Sequence, residues 1–196
     1  MKFNAKKLVS FILAVAIIAA AFLAVPSKVE AATRKVSTTV TSKMLNSPNG
    51  GLSAAGVKKT PTVKVGVNKV TQKNASTGCY TKFVAPSSGT YVFKFSNPST
   101  PKGASVNGHI TMYTKNGKYL DWKKGKVYGG SAYTFRIANS KFLKYWTNSG
   151  ADKTQYYFTS RSYTTTLKKG ETLFIYGYFA GGVKEVKMYN VKITKK

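Results

Sequence analysis

From residue 33 onward the chain never sustains a helical repeat; its apolar residues instead recur every second position. Tyr91, Phe93 and Phe95 share one parity, with Val92 and Lys94 on the other. A period of two marks a strand with one buried face. Val63, Val65 and Val67 alternate with polar partners over 62–69, and further Val-, Thr-, Tyr- and Phe-rich runs cover 80–84, 110–115, 118–122, 163–167 and 172–179. The runs are punctuated by turn chemistry. Ala85-Pro86-Ser87-Ser88-Gly89 and Lys168-Lys169-Gly170-Glu171 read as turns, and Asn116-Gly117 predicts a two-residue type I′ hairpin. In 184–194, Val186 and Met188 fall on one parity and Val191 and Ile193 on the other, so a bulge is expected near Tyr189-Asn190. Short strands with frequent turns exclude βαβ units. They predict an all-β chain, an antiparallel, jelly-roll-like β-sandwich over 61–196.

Two segments fit that pattern less tightly. Residues 32–60 read as an extended basic N-terminal segment and linker. Within it, 33–44 alternates weakly, as a strand or an extended arm, and 45–60 contains Pro48-Asn49-Gly50-Gly51. Residues 128–160 hold Tyr128, Tyr133, Phe135, Phe142, Tyr145, Trp146, Tyr156, Tyr157 and Phe158. We read this stretch as an insertion with one or two further strands.

The N-terminus has the layout of a cleaved secretory signal peptide, residues 1–31. Lys2, Lys6 and Lys7 precede an uncharged run from Leu8 to Val25, then come Pro26 and a Val29-Glu30-Ala31 site. An uncleaved anchor is the rival reading, because the run is long enough to span a bilayer. Cleavage leaves no stable membrane span and a secreted or cell-surface protein. It removes four lysines and one glutamate from a chain of net charge +27, leaving +24. Cys79 has no partner for an intramolecular disulfide and is expected to be buried as a small hydrophobe. Export without disulfides, together with the lysine content, points to a bacterial, Gram-positive source.

Three segments carry a family resemblance. Residues 83–93 (FVAPSSGTYVF), 110–118 (ITMYTKNGK) and 167–175 (LKKGETLFI) resemble, in order, the strand–turn–strand, central hairpin and late strand of bacterial pre-peptidase C-terminal-like domains. The resemblance implies a jelly-roll-like sandwich and a secreted binding or accessory module of the kind attached to exported hydrolases. Some relatives bind calcium through clustered acids. Positions 61–120 here contain no Asp or Glu, which argues against calcium; no metal and no cofactor is expected.

The side chains needed for catalysis are scarce. Beyond residue 31 the carboxylates are Asp121, Asp152, Glu171 and Glu185. Glycoside hydrolysis needs two of them across one bond, and nothing near either Asp promises the tuning an acid catalyst requires. His109 and Cys79 are the minimum for a thiol hydrolase, without its flanking motifs. One His, one Cys and few acids do not make a zinc site. The chain is expected not to be an enzyme.

Charge and aromatics remain. Beyond residue 31 there are 25 lysines against three arginines, Arg34, Arg136 and Arg161. Lysine suits diffuse attraction more than bidentate recognition. Among its clusters, Lys123, Lys124, Lys126, Lys168 and Lys169 are candidates for polyanion binding. Outside a Gram-positive cell the partners are teichoic acids, anionic head groups and acidic polysaccharides. Nucleic acid is disfavoured, because no reading helix or nucleic-acid motif is present. Trp122, Tyr145, Trp146, Tyr156 and Tyr157 are the alternative, stacking sugars as a carbohydrate-binding or adhesion module, although most β-strand aromatics fill cores. A third expectation is an inhibitor or partner of a secreted hydrolase.

Overall fold

A computed structural model of the chain describes residues 32–39, 54–73, 78–120, 134–148, 157–182 and 185–196. All of them belong to the unit Ala32–Lys196. The predicted signal segment lies outside the described residues. Among the described residues no helix is long and apolar enough to cross a membrane.

The unit is a β-sandwich. Its strands are β1 (Arg34–Thr38), β2 (Thr62–Val63), β3 (Gly66–Gln72), β4 (Cys79–Val84), β5 (Gly89–Ser99), β6 (Asn107–Thr114), β7 (Thr134–Ala138), β8 (Tyr157–Phe158), β9 (Ser160–Leu167), β10 (Thr172–Ala180) and β11 (Lys187–Lys195). Sheet 1 runs β1-β3-β11-β5-β9, and sheet 2 runs β2-β4-β10-β6-β7-β8. From β3 to β6 and from β9 to β11, consecutive strands alternate between sheets, as the jelly-roll expectation requires. The centres of both sheets are antiparallel, but β1 joins β3, β2 joins β4 and β8 joins β7 in parallel.

Period-two burial builds the core. Tyr91, Phe93 and Phe95 of β5 are fully buried, as are Leu173, Ile175 and Phe179 of β10 and Tyr189, Val191 and Ile193 of β11. Phe83 packs edge-on against Tyr91 and Phe93 across the sandwich, each pair with centroids 5.2 Å apart, and Phe179 stacks on Tyr189 at 5.0 Å. Each such side chain contributes about 1.5–3 kcal/mol by leaving water. The 85–89 connection is tied down from inside, because the Tyr91 hydroxyl donates to the Ser87 carbonyl at 2.6 Å.

Three local expectations change. The run 62–69 is two strands in different sheets, and the buried side chain of Asn68 makes the switch. Its Oδ1 accepts from Lys64 N at 3.1 Å, and its Nδ2 donates to the carbonyls of Lys64 at 2.7 Å, Gly66 at 3.2 Å and Val191 at 3.2 Å. Alternation alone does not reveal that one polar inward residue replaces the ladder at a corner. The Asn116-Gly117 turn has Gly117 at φ 78° but Asn116 outside the positive-φ region, and Thr114 pairs with Lys118. It is therefore a three-residue loop with its glycine in the left-handed position, not type I′. The bulge exists at the predicted level of the ladder, but the register shift against β11 is absorbed by β5, where Asn97 has φ 54°. Lys187, Tyr189, Val191 and Ile193 keep one inward parity, and Met188 faces out.

Two helices interrupt the β pattern. Ala54–Lys59 (α1), expected as loop, ends before Pro61, where Lys82 Nζ donates to the Val57 carbonyl at 2.8 Å. The 128–160 stretch carries two strands, β7 and β8, and between them the unexpected helix Ser140–Asn148 (α2), which starts on an N-cap: Asn139 Oδ1 accepts from Phe142 N at 2.9 Å. Phe142 and Trp146, four residues apart, stack at 5.6 Å and both pack on Tyr157. Two turns of helix are too short to show a repeat among so many aromatics. Finally, β1 is an edge strand of sheet 1 rather than a free arm. The Thr38 hydroxyl donates to the Tyr80 carbonyl at 2.6 Å, linking that edge to sheet 2.

Candidate functional site

The outer face of sheet 1 collects charge. In each of β1, β3, β11 and β5 one lysine occupies an outward position: Lys35, Lys69, Lys192 and Lys94, all exposed. Strand register brings them together. Lys35 sits beside Lys69 in the β1–β3 ladder, and Lys192 sits opposite Lys94 in the β11–β5 ladder. Lys69 faces Asn190, two residues from Lys192, so the four ammonium groups form one band across four adjacent strands. Like charges directly opposite one another disfavour pairing.

The rest of this face is mostly small and hydroxylic. Thr164 and Thr166 of β9 and Thr194 of β11 are exposed, and the Thr90 and Thr166 hydroxyls lie 3.2 Å apart. Val67, Val92 and Met188 are half-buried among them. The two carboxylate side chains among the described residues lie elsewhere and bind backbone amides. Glu171 accepts from Lys168 N at 2.9 Å within the β9–β10 turn, and Glu185 accepts from Lys102 N at 3.3 Å. Neither neutralises the band.

The outer face of sheet 2 is aromatic. Tyr80, Tyr176 and Tyr113 sit on neighbouring strands, with centroids 5.0 Å apart for Tyr80–Tyr176 and 6.2 Å for Tyr80–Tyr113. Tyr113 stacks on Phe174 at 5.4 Å, and His109 stacks on Tyr178 at 5.3 Å. Tyr176 lies across Gly78, whose absent Cβ leaves room for the ring. Burial, with the Arg136 charge second, holds the His109 imidazole below its ordinary pKa. Burial also raises the phenols of Tyr80, Tyr113 and core Tyr189, and pushes Tyr176 up to about 12.

These raised values fix a pH dependence. The unfolded phenols ionise near 10, so the stability they carry is complete below pH 10 and is lost as pH rises toward 12 and beyond. We expect alkaline unfolding to begin near pH 10. Absorbance of ionised tyrosine at 295 nm should show a group of phenols appearing together with loss of the fold. A smooth titration complete by pH 11, with the fold intact, would contradict these burials.

The residues singled out in the sequence separate. Trp122, Lys123, Lys124, Lys126 and Tyr156 lie outside the described residues. Trp146 and Tyr157 come together, 5.5 Å apart, but as packing between α2 and β8, with the Arg136 guanidinium 5.5 Å from the Tyr157 ring centre. Tyr145 is 69% exposed on the far side of α2. Lys168 and Lys169 are exposed in the β9–β10 turn, outside the sheet 1 band. Cys79 is buried with Sγ 3.6 Å from the Thr38 carbonyl oxygen. It aligns with Gly177 and Ile110, whereas His109 aligns with Tyr178 on the opposite face, so the two do not form a thiol–imidazole pair. Among the described residues no three His, Cys, Asp or Glu cluster as metal ligands.

In the sequence, contiguous lysines are the stronger local signal, and the lysines of the band stand singly. Their signal is the single lysine at outward parity, as in Phe93-Lys94-Phe95 and Val191-Lys192-Ile193. Only the non-local register converts these isolated residues into a surface.

The sequence matches no family model and no curated protein. Among solved structures it is similar to the pre-peptidase C-terminal domain of a collagenase from Bacillus anthracis, at 8% identity and TM-score 0.36, over 69% of this chain and 95% of that one. It is similar to CorA, a surface-associated copper-binding protein of Methylomicrobium album BG8, at 8% identity and TM-score 0.37, over 70% of this chain and 98% of that one. A third is a β-glucosidase from Kluyveromyces marxianus, at 17% identity and TM-score 0.30, over 61% of this chain and 11% of that one.

Proposed function

We propose that this domain is a non-catalytic binding module of the secreted type, which holds an anionic polymer against the outer face of sheet 1. The observation that carries the reading is the in-register placement of Lys35, Lys69, Lys192 and Lys94. Isolated, such a band costs the folded state self-repulsion; bound to an anionic chain, it lowers the free energy of both. The setting would be the outside of a bacterial cell, with the envelope or its polyanionic glycans as the partner.

Salt tests this directly. With four ammonium–anion contacts, affinity for an immobilised anionic polymer should fall by about 10²-fold between roughly 0.05 and 0.2 M salt at the charge density of duplex DNA, and less for a sparser polymer. Binding indifferent to salt over that range would overturn the electrostatic reading.

One observation favours a second reading, a sugar-stacking face on sheet 2. Tyr176, lying across Gly78, and the His109–Tyr178 stack present half-buried rings on one side of the sheet. Binding by that route would persist at high salt and be lost in Tyr178→Ala. Trp146 would not serve as its reporter, because its ring holds α2 to β8.

A further inference from the structure

Resting on the reading that the outer face of sheet 1 takes polyanions, we infer that its ligand is a single linear polyol-phosphate chain lying across the strands, one phosphodiester to each lysine of the band. The lysines occur once per strand on β1, β3, β11 and β5; within the β1–β3 and β11–β5 ladders they are one strand spacing apart, about 4.8 Å, and the two-residue offset between Lys69 and Lys192 makes the middle step about 8 Å. The path along the four is about 18 Å. A phosphate chain joined by three-carbon bridges, when extended, repeats at well over one strand spacing, close to the mean step along the four lysines, and flexible lysine stems absorb the difference.

The face between the lysines chooses among phosphate polymers. Beside the band lie the exposed hydroxyls of Thr164, Thr166 and Thr194, and no aromatic ring among the described residues of this face. Single-stranded nucleic acid draws much of its affinity from bases stacked on aromatic rings. Sequence-specific reading of duplex DNA needs side chains that reach base edges in a groove, and this face offers single lysines suited to phosphates. A polyol chain brings no rings and many hydroxyls. Lysine, a point charge with rotatable donors, suits a flexible phosphodiester better than the rigid fork of arginine.

The test separates register from total charge. Lys69→Thr with Thr71→Lys, combined with Lys192→Thr and Thr194→Lys, keeps the net charge and moves two lysines off the band in opposite directions. The probe is synthetic poly(glycerol phosphate), with an oligothymidylate of equal phosphate number beside it at the same ionic strength. We expect wild type to prefer poly(glycerol phosphate), and the relocated variant to lose roughly tenfold or more of that affinity. Thermal melts establish that the variant is folded. Should it fold poorly, single neutralisations replace it: Lys94→Gln in the band should weaken binding more than Lys115→Gln at the hairpin tip. Unchanged affinity after relocation, or equal effects of Lys94→Gln and Lys115→Gln, overturns the inference while leaving polyanion binding standing. Oligothymidylate binding as tight as poly(glycerol phosphate) also overturns it. Failure of wild type to bind either polymer removes the underlying reading as well.

Discussion

Replacing Lys35, Lys69, Lys94 and Lys192 together by Gln should lower affinity for an anionic polymer by about 10³-fold at low salt. Each exposed lysine near an anionic surface is worth about 1 kcal/mol, so four contribute about 4 kcal/mol. The contrast with diffuse attraction is sharp. The substitutions leave the large majority of the 32 cationic residues in place, so attraction by overall charge would fall only modestly. A second readout runs the other way. Lys192 opposite Lys94 and Lys35 beside Lys69 repel in the unliganded sheet, so the variant should melt at the same temperature as wild type or slightly higher. Affinity lost with stability kept marks residues placed for a ligand. Stability lost with affinity would mark them as structural.

The second large effect falls on Asn68. Its side chain is fully buried and serves four backbone groups across the corner where the chain passes from β2 to β3, besides accepting from Arg34 Nη1 at 3.3 Å. Asn68→Leu would leave the Lys64 amide and several carbonyls without that partner. Each buried group so stranded costs about 1–3 kcal/mol, and we expect about 3–4 kcal/mol in all once local relaxation is allowed. Asn68→Asp is the more informative change. It retains the acceptor toward Lys64 N and Arg34 but turns a carboxylate toward carbonyl oxygens, which raises that carboxyl's pKa above its unfolded value. The protonated acid can still donate one bond. Stability should therefore be greatest below the unfolded pKa, about 4, and fall as pH rises through the raised folded value. Denaturation midpoints for both variants between pH 4 and 8 check this. An Asn68→Asp protein most stable at neutral pH would mean that Nδ2 does not make these bonds.

How far the sequence could be read depends on the range of the interaction involved. Tyr91-Val92-Phe93-Lys94-Phe95 states its own strand, its buried face and its solvent face, because all three follow from alternation within five residues. The turn at Lys168–Glu171 is equally local: Gly170 at φ 80° and the Glu171 carboxylate closing on Lys168 N are both written in four residues. Asn68 is different. Its role at a corner depends on Val191, 123 residues away, and nothing nearby announces it. Helix α2 was hidden because Phe142, Tyr145 and Trp146 suit a strand as well as a helix, and its Asn139 cap is one residue. The candidate site was the least legible part. Lys35, Lys69, Lys94 and Lys192 are scattered over most of the chain, and each alone is an ordinary solvated residue. Sheet order alone makes them neighbours.

Amine labelling with and without an anionic polymer tests the central claim most directly. A lysine-reactive reagent, read out by mass spectrometry of peptides, reports each ammonium group separately. Bound polymer should protect Lys35, Lys69, Lys94 and Lys192 strongly, while Lys115 and Lys118 in the β6 hairpin loop and Lys168 and Lys169 in the β9–β10 turn react as before. Protection spread evenly over all lysines, or concentrated at Lys168 and Lys169, would contradict a ligand held on the outer face of sheet 1.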